Sequence, residues 1–406
     1  MSFSVEKKTT LAHPFRAPGS TLISSDQSNL KIVYNKYKTR SPLPNSTNQL
    51  RYNFIFCHGT GFNKSIWKYH ISKLYQLSQS LQVPWFLDSV IAIDMVGHGD
   101  SSLENQGKLG TIFRWDDGAK DVIAIIKHEI ATTGDFQNNL ESRNLIIGHS
   151  MGGFNSLYAT FLEPSLFDAV IPIEAVIYGA PGGLEKFSKK FSKISKLLID
   201  TFDSKDDINF FFKEFSFFKN MQDQVSDDFI NDEVYEIKDK ESGEIKYKLK
   251  CNTPHQMAAY YGAFMSIPFG MFAIPHIRVP ICHVIGSKGV WNPPESITWI
   301  RGAINKEFLA GKVDVPKGEH LLNVELPDET IDIIQNFTTE RTKAFIEARN
   351  NLPEVKLNNN KEAIAKEAIA KEQFQNLIDL KFDQVNGYFI EDRVDNYEAL
   401  QKLAKL

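Results

Sequence analysis

The first chemistry in this sequence stands at Gly148-His149-Ser150-Met151-Gly152, a G-x-S-x-G pattern. A serine in that setting occupies a strand-to-helix turn so sharp that its hydroxyl is lifted clear of the strand ends. Glycine at 148 and 152 removes the side chains that would crowd each other across the turn. The pattern is short and carries weight only in context. The context is present: residues 144–147 read as a buried strand and residues 154–161 as a helix. Ser150 is therefore the candidate nucleophile.

A serine hydroxyl is a poor nucleophile until a base takes its proton. In chain order the base should follow the last strand. Of the histidines only His320 does so, after Lys317-Gly318-Glu319, a turn able to swing an imidazole over the strand ends. His283 falls inside a strand and reads as packing. His58, His98 and His149 lie beside glycines or at the serine turn and read as loop-shaping residues.

The imidazole needs an acid to hold its tautomer. Glu174 follows directly on the apolar run 169–173, whereas after 281–285 no carboxylate appears before Glu295. Position ranks Glu174 first and leaves Glu295 as the alternative. The oxyanion of acyl transfer needs two preset donors. The expected pair is the N–H of Met151, next after the serine, and that of Thr60 in His58-Gly59-Thr60-Gly61. The same glycine pair could serve only to make a tight turn. Asp94, ahead of Gly97-His98-Gly99, reads as structural.

Strands must deliver these residues to one rim. Apolar runs at 53–57, 90–93, 144–147, 169–173 and 281–285 alternate with helical spacing at 65–81 and 115–130. That alternation predicts an α/β fold: a mostly parallel sheet with helices on both faces and ligands at the strands' carboxyl ends. Residues 31–37 read as an edge strand, and residues 1–30 as irregular. The expected organisation is a core in two parts, 1–177 and 281–349, an insertion at 178–280, and a tail at 350–406. The insertion is rich in phenylalanine and reads as a helical cap across the strand ends; the alternative is a second domain with no role at the site. Its charged stretch 227–250 reads as solvated or mobile. The uncharged stretch 251–277 holds Pro254, Pro268, Pro275 and two glycines, so it is not read as a membrane span. In the tail, 351–360 reads as a linker. A Lys-Glu-Ala-Ile-Ala repeat at 361–370 reads as a solvent-facing spacer helix with i,i+4 ion pairs.

Composition excludes several classes. A net charge of −4 over 406 residues argues against nucleic acid as the main partner. Cys57, Cys251 and Cys282 are far apart and lack metal-ligand spacing, which suits free thiols in a reducing compartment. Residues 1–10 mix Glu and Lys without an apolar core, so no secretory signal is expected there. No motif calls for a metal, nucleotide or other cofactor. The final residues, Ala404-Lys405-Leu406, are a conservative variant of the Ser-Lys-Leu address read by a peroxisomal import receptor.

Longer motifs give a resemblance. Gly148 to Gly153, His58-Gly59-x-Gly61, Asp94-x-x-Gly97-His98-Gly99-Asp100-Ser101 and Gly318-Glu319-His320 resemble an α/β-hydrolase. Arg16-Ala17-Pro18 with Ser20-Thr21-Leu22, Gly110-Thr111 with Trp115 and Asp117-Gly118-Ala119, Trp291-Asn292-Pro293-Pro294, and His320-Leu321 with Asn323-Val324-Glu325 narrow it. Over about residues 14–340 the chain resembles the yeast peroxisomal lipase family. The resemblance implies an acyl-ester hydrolase of the peroxisome matrix, with Ser150 and His320 as nucleophile and base. The expected substrate is a medium- or long-chain lipid ester. Alternatives are an acyl-CoA thioesterase or phospholipase, for which Lys186, Lys189, Lys190, Lys193 and Lys196 could form a phosphate-binding face. A catalytically vestigial partner- or membrane-binding protein is the alternative of another class.

Overall fold

The computed structural model describes residues 3–41, 49–80, 83–180, 189, 191–238, 243–350 and 359–381. The tail tripeptide Ala404, Lys405 and Leu406, and Lys186 and Lys190 of the suggested basic face, lie outside them. The chain divides into two units, Met1–Thr339 and Glu340–Leu406.

The strands are β1 (Phe3–Leu11), β2 (Lys31–Thr39), β3 (Leu50–Cys57), β4 (Trp85–Ile93), β5 (Ser142–His149), β6 (Ala169–Ile173), β7 (Thr201–Phe202), β8 (Val234–Lys238), β9 (Ile245–Leu249), β10 (Ile281–Gly286) and β11 (Leu309–Val315). Eight of them form one sheet in the order β1-β2-β4-β3-β5-β6-β10-β11. β1, β2 and β4 pair antiparallel, and every other pairing in that sheet is parallel. From β3 the chain first steps to β4 on one side and then to β5 on the other. Such a reversal opens a crevice at the carboxyl ends of β3 and β5, the usual ligand position in sheets of this kind.

The helices are α1 (Lys68–Gln79), α2 (Gly99–Glu104), α3 (Trp115–Thr133), α4 (Met151–Leu162), α5 (Lys205–Phe210), α6 (Asp223–Glu233), α7 (Thr253–Ala273), α8 (Pro294–Ala303), α9 (Leu322–Glu325), α10 (Pro327–Asn350) and α11 (Asn359–Ile378). Alternation along β3 sorts them onto two faces. Ile55 and Cys57 join a buried cluster with Val122 and Ile126 of α3 and Phe154 and Leu157 of α4. Phe56 meets Trp67, just before α1. Phe54 meets Trp85, whose Nε1–H donates to Thr339 on α10 at 3.1 Å.

β1 has no counterpart in the sequence reading. Among its residues only Phe3 is buried, so the strand carries no apolar period to detect. The segment between β6 and β10 also holds more than helices: β7, β9 and β8 form a three-stranded antiparallel sheet. At two points of the charged stretch 227–250 the charges are paired within the fold rather than left to solvent. Asp232 of α6 meets Lys64 at 2.8 Å and Lys250 at 3.1 Å, and Asp100 meets the same two lysines. Lys64 is buried and also pairs with Asp94 at 2.7 Å. Partnered charges can be buried where isolated ones cannot. Asp94 has the structural place expected of it: it accepts from the backbone N–H groups of Lys64 and Asp100.

One helix among the described residues, Thr253–His276, is long and apolar enough to cross a membrane by length and composition. It packs within the first unit. Ser266 Oγ accepts from the Trp115 N–H at 2.8 Å, and the Trp115 indole donates to the Ala259 carbonyl at 2.8 Å. A Cβ on Gly262 would fall 1.8 Å from the Phe113 carbonyl oxygen, so glycine is what permits this close approach. In the second unit, Glu367 and Lys371 of α11 form an i,i+4 pair at 3.1 Å.

Candidate active site

β5 ends at His149 and α4 begins at Met151, so Ser150 alone makes the turn. Its backbone lies at φ 54° and ψ −114°, a strained conformation for a residue with a Cβ. The flanking glycines do two different jobs. A Cβ on Gly148 would lie 2.0 Å from the Gly152 carbonyl oxygen, so Gly148 lets the turn close. A Cβ on Gly152 would lie 2.2 Å from the Cys57 carbonyl oxygen, so Gly152 lets α4 press against β3. The sequence reading has both relieve one crowding; the structure divides the task. The Ser150 N–H donates to the Ile173 carbonyl of β6, which ties the turn to the next strand.

His320 follows β11 and a turn in which the Gly318 N–H donates to the Val315 carbonyl. Its Nε2 lies 3.0 Å from Ser150 Oγ, and its Nδ1 lies 3.0 Å from Glu174 Oε2. An ionised carboxylate only accepts, so the proton between His320 and Glu174 sits on Nδ1. Nε2 then carries the lone pair and accepts the Ser150 hydroxyl proton. Trp291 lies against the imidazole, with ring centroids 5.5 Å apart.

Glu174 is fully buried at the end of β6, with φ 48°. Three donors surround its carboxylate: the Gly286 N–H at 2.7 Å, Asn292 Nδ2 at 3.0 Å and His320 Nδ1. They hold the buried charge without a cation. Gly289 closes over it, since a Cβ there would lie 3.0 Å from Glu174 Oε1. Glu295 goes elsewhere: it stands in the first turn of α8 and accepts from the Tyr178 hydroxyl at 2.7 Å. Asn292 is the residue the sequence reading missed. It stands in the Trp291-Asn292-Pro293-Pro294 motif, and a search confined to carboxylates passes over an amide whose task is to orient one.

The β3 loop supplies the other wall. His58 Nδ1 lies 2.8 Å from the Gly59 carbonyl, to which it donates, and its Nε2 accepts from the Met95 N–H at 3.1 Å. Both bonds need a neutral ring, and burial pushes the His58 pKa down to about 4. His149 is likewise neutral: burial, with His320 nearby, pushes it down to about 3. Its Nε2–H donates to the His320 carbonyl at 2.7 Å and braces the loop that carries the base. His283 lies buried in β10, where Nδ1 accepts from Arg301 at 3.1 Å. A Cβ on Gly59 would lie 3.2 Å from Ser150 Cβ, so this loop runs directly beside the serine. Thr60 Oγ1 lies 3.6 Å from Met151 Sδ. Met151 opens α4, where a backbone N–H has no partner within its own helix.

Ser150, His320 and Thr60 line a cavity of about 540 Å³. The segment between β6 and β10 forms much of its wall, through Phe191, Ile194, Tyr260, Phe264 and Ile267. Trp115, Val176 and Trp291 add to the apolar lining. Most phenylalanines of that segment do other work. Phe202, Phe211, Phe212 and Phe229 are buried among themselves or against Phe218 and Phe62. No group of three or more His, Cys, Asp or Glu among the described residues could hold a metal ion.

Comparison with known proteins places these features in context. Residues 54–333 match the model of the alpha/beta hydrolase family. Over 352 residues the chain is 30% identical to the Saccharomyces cerevisiae protein named peroxisomal membrane protein LPX1, covering 83% of this chain and 87% of that one. The crystal structure of the Saccharomyces cerevisiae peroxisomal alpha-beta-hydrolase Lpx1 superposes with a TM-score of 0.75 at 26% identity, over 95% of this chain and 99% of that one. A shorter match, 26% identical over 43% of this chain and 36% of the other, is to a type I acyl-CoA thioesterase, mpaH', of Penicillium brevicompactum.

Proposed function

The chain belongs to the alpha/beta hydrolase family, and on that premise we propose that it hydrolyses acyl esters with Ser150 as the nucleophile. The observation that carries this reading is the unbroken line from Ser150 Oγ through His320 to Glu174, opening into an apolar cavity. Ser150 Oγ attacks the acyl carbonyl carbon while its proton passes to His320 Nε2. Glu174 stabilises the imidazolium, held in place by Gly286 and Asn292. The carbonyl oxygen, now negative, takes hydrogen bonds from the Thr60 and Met151 N–H groups, an interaction whose loss typically costs ~2.7–4 kcal/mol of barrier. The tetrahedral intermediate collapses, His320 protonates the departing alcohol oxygen, and the acyl group remains on Ser150. A water, deprotonated by His320, then releases the carboxylic acid and restores the serine. No cofactor is needed in these steps.

A mainly apolar cavity of about 540 Å³ suits a medium- or long-chain acyl group, which makes lipase or esterase activity on lipid esters the favoured reading. Thioester hydrolysis is the second reading, favoured by the thioesterase match and by Lys219 and Lys288 at the cavity edge. Hydrolysis of p-nitrophenyl octanoate and octanoyl-CoA by the purified protein decides between them. Ester turnover that vanishes in Ser150→Ala supports the first; a preference for octanoyl-CoA overturns it in favour of the second.

The location proposed is the peroxisome matrix. It rests on the peroxisomal name of the Saccharomyces relative and on Ala404-Lys405-Leu406, which with a free carboxylate on Leu406 would engage an import receptor. Deleting the tripeptide should leave the enzyme active but cytosolic. Continued co-localisation with a peroxisomal marker would remove the tripeptide as the address.

A further inference from the structure

Apart from Tyr260 and the catalytic rim at Thr60, His149, Ser150 and His320, the polar residues lining the cavity are Lys219, Asn220, Lys288, Glu319 and Glu325. Backbone hydrogen bonds tie these five to the loop that carries His320. The Lys288 N–H donates to the Gly318 carbonyl at 3.0 Å, beside Glu319. The Gln222 N–H donates to the Val324 carbonyl at 2.9 Å, which brings the 219–222 segment against α9. The Glu325 N–H donates to the Leu321 carbonyl at 3.0 Å, one residue beyond His320. These five therefore belong to the base's side of the cavity. That is the side from which an alcohol departs, because His320 Nε2 must hand the proton to the leaving oxygen.

Glu325 is the telling member. It is half-buried in the cavity wall, and among the described residues its carboxyl group makes no hydrogen bond and no ion pair. Burial, with Glu319 nearby, pushes its pKa up to about 7. No side chain among the described residues holds this carboxyl group, so it is free to bond whatever enters the cavity. A ligand donor would find an acceptor there that the protein does not already use.

We propose that Glu325 is a specificity residue that selects esters whose alcohol carries a free hydroxyl, by accepting a hydrogen bond from that hydroxyl on the leaving-group side of His320. This rests on the ester-hydrolase reading above. A carboxyl group and the neighbouring Asn220 amide offer acceptors and a donor together, which is the complement of a polyol. Glu319 and Glu325 offset the attraction that Lys219 and Lys288 exert on phosphates, so anionic head groups gain little. A plain alkyl alcohol leaves Glu325 unpaired.

The test compares kcat/KM for 1-monooctanoylglycerol and ethyl octanoate, which share the acyl group and differ in the free hydroxyls. The wild-type protein should favour the glycerol ester by about tenfold, the scale of one hydrogen bond to a charged or buried group. Glu325→Leu should bring the ratio close to one, mainly through KM of the glycerol ester. Glu325→Gln keeps an acceptor and should retain most of the preference. A wild-type ratio near one, or a ratio unchanged in a folded Glu325→Leu protein, overturns the assignment. Failure of the wild-type protein to cleave p-nitrophenyl octanoate overturns the ester-hydrolase reading itself, and this proposal with it.

Discussion

Replacing Glu174 by glutamine leaves the shape of the side chain almost unchanged and inverts half of its hydrogen bonding. In the wild-type site Oε1 accepts from the Gly286 N–H at 2.7 Å, while Oε2 accepts from Asn292 and from His320, both at 3.0 Å. The Gly286 donor is backbone and cannot turn away, so the glutamine oxygen must take the Oε1 place. Its NH₂ group then faces two further donors. Asn292 can reorient its amide, but His320 can be satisfied only by moving its proton from Nδ1 to Nε2. That tautomer points a hydrogen at Ser150 Oγ and removes the lone pair that should accept its proton. In a triad of known geometry the equivalent change lowers kcat by about 10⁴, close to ~5 kcal/mol at ~1.4 kcal/mol per decade. The expected loss here is about 10³ to 10⁴ in kcat with KM nearly unchanged, read on p-nitrophenyl octanoate at pH 8. Glu295→Gln is the control, since among the described residues Glu295 holds only the Tyr178 hydroxyl, and should stay within about twofold. A folded Glu174→Gln protein that keeps a tenth of wild-type kcat, or a reversed order of severity, would refute the account of the acid.

Three further outcomes follow from the same geometry. Asn292→Ala removes one of the donors on the Glu174 carboxylate and should lower kcat about tenfold, the scale of a single hydrogen bond to a charged group; no change would mean that Gly286 alone orients the acid. Lengthening the acyl chain should raise kcat/KM about fourfold per methylene until the cavity is full, since each buried CH₂ is worth ~0.8 kcal/mol; a flat profile from acetyl to decanoyl would show that Phe191, Tyr260 and Phe264 do not receive the chain. Glu233 is buried, accepting from the Cys251 N–H at 2.7 Å and from Asn63 at 2.9 Å, and burial raises its pKa from 4.5 to about 7. Between those values the folded chain holds a proton that the unfolded chain has lost. Stability therefore falls as pH rises from about 4.5 through 7 and levels above it, by an amount on the order of 3 kcal/mol. Glu325, also raised to about 7, adds to the same slope, so Glu233→Gln should reduce the stability difference between pH 5 and pH 8 in urea unfolding by the Glu233 share; an unchanged difference would assign the slope to another group.

Some of this architecture could be read from residues in order, and some could not. The central strands were legible because they are buried on both faces and so appear as unbroken apolar runs, as at Val90 to Ile93 or Ala169 to Ile173. Glu174 could be set at the rim because it follows such a run directly, and the structure brings it to His320. β1 could not be read, because an edge strand that buries only Phe3 has no period. The stretch around Asp232 and Lys250 looks solvated in sequence, since the charges that neutralise it, Lys64 and Asp100, lie more than a hundred residues away. Phenylalanine abundance draws attention to the segment between β6 and β10, but composition does not tell which rings face a cavity and which face one another. Asn292 was hidden for a related reason: its function lies entirely in what it holds.

Ester hydrolysis at this site requires above all that Ser150 be an activated nucleophile. The most direct measurement is reaction of the native protein with a fluorophosphonate, followed by mass-spectrometric mapping of the adduct. Stoichiometric phosphonylation of Ser150, lost on acid unfolding before labelling and strongly slowed in His320→Ala, is the predicted result. Labelling at another residue, or none at Ser150 in protein that hydrolyses p-nitrophenyl octanoate, would contradict it.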